Sequence, residues 1–95
     1  MARFTVRVEL HKADSDDYDT LHEKMKAKGF KKTISDSDSG NTYSLPTAEY
    51  NYSSNTKSKN EVCDLAHDIA KSVKKNPSVL VTESKGRCWK GLKNA

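Results

Sequence analysis

Phe4-Thr5-Val6-Arg7-Val8-Glu9-Leu10 alternates apolar and polar side chains without a break, so one face of this segment suits a core and the other suits water. Only an extended strand gives that two-residue period. Immediately after it, Ala13-Asp14-Ser15-Asp16-Asp17 supplies a capping residue, Asp14 or Ser15, and acids for the positive end of a helix. Tyr18, Leu21, His22 and Met25 then fall on a helical stripe. Lys24, Lys26 and Lys28 suit the negative end, and Gly29 suits the left-handed stop. The spacing predicts a helix from Asp16 to Lys28.

Working further along the chain, Phe30, Lys32 and Ile34 alternate with Lys31, Thr33 and Ser35 in a second strand. Asp36-Ser37-Asp38-Ser39-Gly40-Asn41 is turn-forming and predicts a hairpin, with Thr42 to Leu45 returning. Pro46 lacks an amide donor and implies an edge, a bulge or an early end, while Ala48 to Tyr52 alternates again and extends the strand beyond the irregularity. Ser58 and Glu61 make a capping box before the apolar stripe Val62, Leu65, Ala66, Ile69 and Val73. This second helix must stop before Asn76-Pro77. Val79 to Thr82 makes a last core strand, and Arg87 to Leu92 is a candidate short edge strand.

The order strand, helix, two strands, helix, strand predicts an α+β, ferredoxin-like βαββαβ domain. Its two helices would lie on one face of a four-stranded antiparallel sheet. With 95 residues, 34% of them hydrophobic and 32% charged, the chain can fill one thin core. The expected division is a body over 1–84 and a basic tail over 85–95.

The charge is unevenly placed. Residues 1–84 contain 13 basic and 13 acidic side chains, whereas 85–95 contain Lys85, Arg87, Lys90 and Lys93 and no acid, so the net +4 belongs to the tail. A neutral body with a cationic end supports a local anion contact rather than a broadly basic shell. No apolar run approaches the roughly 20 residues that cross a bilayer, and the start reads as a strand rather than a signal peptide, so a cytoplasmic protein without a membrane partner is expected. Cys63 and Cys88 lack metal-site or disulfide-scaffold spacing; Cys63 reads as a partly buried thiol.

Several groups can carry chemistry. Thr5, Arg7 and Glu9 should look outward from the open sheet face, with Tyr43, Tyr50 and Tyr52 as candidate rings for stacking on RNA bases. His11, His22 and His67 each have carboxylates nearby in sequence. For His22 and His67 the expectation is surface pairing with acids; His11, at a strand end beside a loop, is the candidate proton-transfer group. Asp36 and Asp38 in the serine-rich turn read as a solvated hairpin, since the ligand ladder of a calcium loop is missing, so no structural metal and no cofactor are expected. In the tail, Arg87, Trp89 and Lys90 combine cations with an indole that can stack on a base; the rival role for Trp89 is a packing anchor on the body or across a dimer.

Phe4 to His11, Asp16-Asp17-Tyr18-Asp19-x-Leu21-His22, Lys28-Gly29-Phe30 and Tyr43-x-Leu45-Pro46-Thr47-Ala48-Glu49-Tyr50 together resemble the GhoS-like endoribonuclease antitoxins of type V toxin-antitoxin systems, short bacterial and phage proteins. The resemblance covers about residues 1–82. It implies a ferredoxin-like fold akin to the CRISPR adaptation nucleases, single-stranded RNA as partner, and cleavage of a membrane toxin's messenger RNA. The first strand ends in Glu9-Leu10-His11 and lacks the aspartate that those nucleases use for metal, which argues against carrying over their magnesium mechanism. A metal-independent endoribonuclease built on this chain would use Arg7 and Lys32 to hold phosphate and His11 to transfer protons. The competing reading is a non-enzymatic interaction module, such as a phage accessory factor that forms a homodimer through a sheet edge. The neutral body favours that alternative.

Overall fold

The computed structural model describes residues 2–35, 40–46, 48–86, 88 and 90–94. The elements in chain order are β1 (Ala2–Glu9), α1 (Ser15–Ala27), β2 (Thr33–Ser35), β3 (Thr42–Ser44), β4 (Glu49–Ser54), α2 (Lys59–Val73) and β5 (Ser78–Glu83). β1 lies between β4 and β5 and pairs antiparallel with both, while β2 and β3 form a separate antiparallel pair. The architecture is therefore α+β and antiparallel. Its five strands fall into two sheets, where the alternation pattern had suggested four strands in one.

That difference has a local cause. The segment expected as one long returning strand is broken between Ser44 and Glu49, where Pro46 cannot donate to a ladder and Ala48 takes a left-handed φ of 67°. β3 stays with β2, and β4 turns to pair with β1. Beyond the break the amide of Val8 donates to Ala48 O at 3.0 Å, which starts the β1–β4 ladder. Lys31 and Asn51 form a single bridge, with reciprocal backbone hydrogen bonds of 2.9 and 2.7 Å, and this stitches the chain before β2 onto β4.

Both helices begin where the sequence placed their caps. Asp14 accepts from the Asp17 amide while Asp17 accepts from the Asp14 amide, at 3.0 and 3.2 Å. Ser58 and Glu61 repeat the device on α2, and the hydrogen bond from the Ser58 amide holds the Glu61 carboxyl below its usual range. α1 ends on Lys28 and Gly29. Gly29 has φ 92°, and its amide donates to Lys26 O at 3.1 Å; an L side chain here would be strained.

The core is one cluster on a single face of β1. Phe4, Val6 and Val8 meet Leu21 and Met25 of α1, Val62, Ala66, Ile69 and Ala70 of α2, and Phe30 and Tyr50. The Phe30 and Tyr52 rings stack at 4.3 Å between centroids, closing the side of the core beneath the α1 terminus. Lys24 Nζ donates to Ser72 Oγ at 3.2 Å and Lys74 pairs with Asp17 at 3.7 Å, linking the two helices at their solvent edge. Tyr18 docks α1 onto the end of β1: its hydroxyl accepts from the Leu10 amide at 3.0 Å and donates to Leu10 O at 3.3 Å.

Phe30 is fully buried and Leu80 is 64% exposed, so the two should answer truncation differently. Phe30→Ala is expected to lower unfolding free energy by about 3–5 kcal/mol and Leu80→Ala by less than about 0.5 kcal/mol, measured by urea denaturation.

Candidate nucleic-acid interface and proton-transfer site

The register of β1 with its neighbours maps the face turned away from the helices. Arg3 lies across from Ser53; Thr5 lies between Asn51 and Thr82; Arg7 lies between Glu49 and Leu80; Glu9 lies across from Ser78. The Lys31–Asn51 bridge adds Lys31 to the row of Thr5. Arg3, Arg7, Glu9, Lys31, Ser78, Leu80 and Thr82 are exposed. Among the described residues no hydrogen bond or ion pair engages the side chains of Arg3, Arg7 or Lys31, so three cations on this face are uncommitted. Arg3 and Arg7, four residues apart on one strand, stand about 13 Å from each other.

His11 lies just past the end of β1, at the rim of this face. Its Nε2 is 2.9 Å from Ser78 Oγ, and its Nδ1 is 3.4 Å from a Glu9 carboxylate oxygen. Ser78 opens β5 opposite Glu9, so the sheet register sets this grouping. The expected outward position of Arg7 and Glu9 holds. The rim position of His11 holds too.

Other expected members lie elsewhere. The Lys32 ammonium sits 5.2 Å from the centre of the Tyr50 ring and donates to Pro46 O at 2.8 Å and Glu49 O at 3.3 Å. Tyr50 pairs with buried Val6, so Lys32 is on the core side, away from Arg7 and His11. Burial lowers the Lys32 pKa, opposed by Glu49. Lys32 holds the Pro46 bend together, and its charge is already satisfied. Tyr50 is wholly buried and Tyr52 stacks in the core, so neither ring lies on the open face; an alternation counted through Pro46 assigns the face wrongly. Tyr43 is half-buried and pairs with Ile34 in the smaller sheet.

His22 was expected to pair with acids at the surface. Instead its Nδ1 meets the Tyr50 hydroxyl, half-buried between α1 and β4, with the Tyr18 ring 6.4 Å away. Desolvation lowers the His22 pKa, Lys32 lowers it further, and Asp19 opposes them. Burial pushes the Tyr50 phenol well above its ordinary range, so it stays protonated in its hydrogen bond with His22 Nδ1. Sequence reasoning missed this cluster because its members come together only across the α1–β4 contact.

In the tail, Ser44 donates its amide to Lys93 O at 2.8 Å and Asn94 bridges Tyr43, so the described end of the chain adds to β3, while the edge strand expected over Arg87 to Leu92 falls partly outside the described residues. Lys90 is exposed, while Arg87 and Trp89 lie outside the described residues, as do Asp36 and Asp38. Cys63 is half-buried, as expected, and Cys88 is exposed. Among the described residues no three His, Cys, Asp or Glu side chains gather as metal ligands would, and no helix is long and apolar enough to cross a membrane.

The class this fold defines is an antiparallel α+β domain with helices on one side of its main sheet and a polar, cation-bearing face on the other. Within that class the chain belongs to the family described as Endoribonuclease GhoS, whose model matches residues 1–85. Comparison with curated proteins and with solved structures finds no match.

His22 also gives a pH dependence of stability with a definite sign. Its folded pKa is lower than the unfolded value of 6.5, so the unfolded chain binds more protons between the two, and stability must rise with pH across that window. Urea midpoints should therefore fall as pH drops below about 6.5 and level off once the folded imidazole is protonated. His22→Asn should flatten that part of the profile.

Proposed function

We propose that this protein is an RNA-cleaving antitoxin that binds single-stranded RNA across the open face of its main sheet and cuts it at the His11 rim. The observation that carries the reading is His11 itself, flanked by a carboxylate on one ring nitrogen and a hydroxyl on the other, just past the end of the strand whose open face carries Arg7, in a chain of the endoribonuclease GhoS family. The order β5–β1–β4, with Lys31 bridged to β4, fits a ferredoxin-like fold whose third strand is split at Pro46. Arg7 holds the phosphate at the cut site, and Arg3 and Lys31 replace Lys32 as further backbone contacts. Arg87, Trp89 and Lys90 of the tail extend that contact. With Tyr50 buried and Tyr52 turned toward the core, exposed Leu80 supplies apolar surface for a base beside Arg7.

Three cations on one face, each contacting a phosphate, give a modest but measurable salt dependence. The purified chain is expected to cut single-stranded RNA, and His11→Ala to slow cutting by about 10²- to 10⁴-fold while RNA binding persists. Arg7→Ala should weaken binding and make it less steeply dependent on salt, read by anisotropy on labelled RNA. An intact fold with neither cutting nor salt-sensitive binding on any RNA would favour the interaction module, with Leu80 and the β5 edge as its contact.

A further inference from the structure

The grouping at the rim also bears on how an RNA chain would be cut. A carboxylate has no proton to give, so Glu9 at 3.4 Å favours the proton on His11 Nδ1. Nε2 then keeps its lone pair and accepts the hydrogen bond from the Ser78 hydroxyl at 2.9 Å. A hydroxyl on a histidine lone pair, with a carboxylate behind the ring, is the arrangement that removes a proton from that hydroxyl. The three groups are held by cross-strand register, since Glu9 and Ser78 are direct partners in the β1–β5 ladder. They are also open: the His11 and Glu9 side chains are 48% and 66% exposed, so a substrate hydroxyl can reach Nε2 by displacing Ser78.

A ribose 2′-hydroxyl is such a group, already attached beside the phosphate to be cut. Resting on the ribonuclease reading above, we propose that the Ser78 hydroxyl marks the place the 2′-hydroxyl takes on His11, with Glu9 as the positioning residue that sets the ring tautomer. The reaction is then a transesterification. His11 Nε2 takes the 2′-proton, the 2′-oxygen forms a bond to phosphorus, and the bond from phosphorus to the 5′-oxygen breaks. That oxygen leaves with a proton returned from the imidazolium or from water. Arg7, one step along the same strand face from Glu9, offsets the charge gathering on the phosphoryl oxygens. The products end in a 2′,3′-cyclic phosphate and a 5′-hydroxyl, and no group from the protein joins the phosphate.

The experiment uses the full chain on a labelled single-stranded RNA it cuts, beside the same RNA with one 2′-deoxy nucleotide at the cut site. Cutting at that bond is expected to fall by at least about 10²-fold, with cyclic phosphate ends on the all-ribose product. Ser78→Ala should keep kcat/KM within about threefold of the unaltered chain, because it removes only a place-holder. Glu9→Gln should lower kcat about tenfold with KM unchanged, and Glu9→Asp should recover part of the loss, a split that a merely structural role would not produce. Equal cutting of the 2′-deoxy strand, 3′-hydroxyl ends, or an inactive but folded Ser78→Ala chain would overturn this inference and leave the ribonuclease reading standing. If the unaltered chain cuts no RNA, both fall.

Discussion

β1 is hydrogen-bonded along both edges, to β4 on one side and β5 on the other, and everything else in the molecule is arranged by its two faces. A central strand has no solvent to satisfy its amides, so both neighbours must be in register before any of it is stable. Once they are, Phe4, Val6 and Val8 are committed to the helices, and Arg3, Thr5, Arg7 and Glu9 to the opposite face. A one-residue slip would bury the arginines and expose the core. Core and candidate RNA face are thus two results of one constraint.

The break at Pro46 shows how a local irregularity redistributes function. By ending β3 early and letting β4 pair with β1, it turns Tyr50 and Tyr52 inward, where one meets His22 and the other Phe30. Lys32 follows, because its ammonium reaches the Pro46 and Glu49 carbonyls at the bend. An aromatic RNA platform is lost by this folding. The face that remains is cationic and hydroxyl-rich, with one exposed leucine.

The two histidine environments are chemically opposite. His22 is half-buried with a lysine nearby, two effects that favour its neutral form against Asp19, and its contact with the Tyr50 phenol fixes the ring. It ties α1 to β4. His11 is exposed and flanked by a carboxylate and a hydroxyl. Of the two, only His11 stands at the exposed rim.

The sequence by itself determined the parts that depend on neighbours along the chain. The alternation from Phe4 to Leu10, the capping boxes Asp14–Asp17 and Ser58–Glu61, the stop at Gly29 and the α2 stripe are short-range features whose physics is complete within a few residues. It also set Arg7 on the polar face of β1 and His11 beyond its end, because a strand's period fixes which side chains share a face. Tertiary structure alone decided which strand Tyr50 and Tyr52 would join, what would claim the Lys32 charge, and that Ser78, 67 residues away in sequence, would meet His11. These outcomes turn on strand pairing between distant segments, and the energy of such pairing resides in the assembled sheet rather than in either strand.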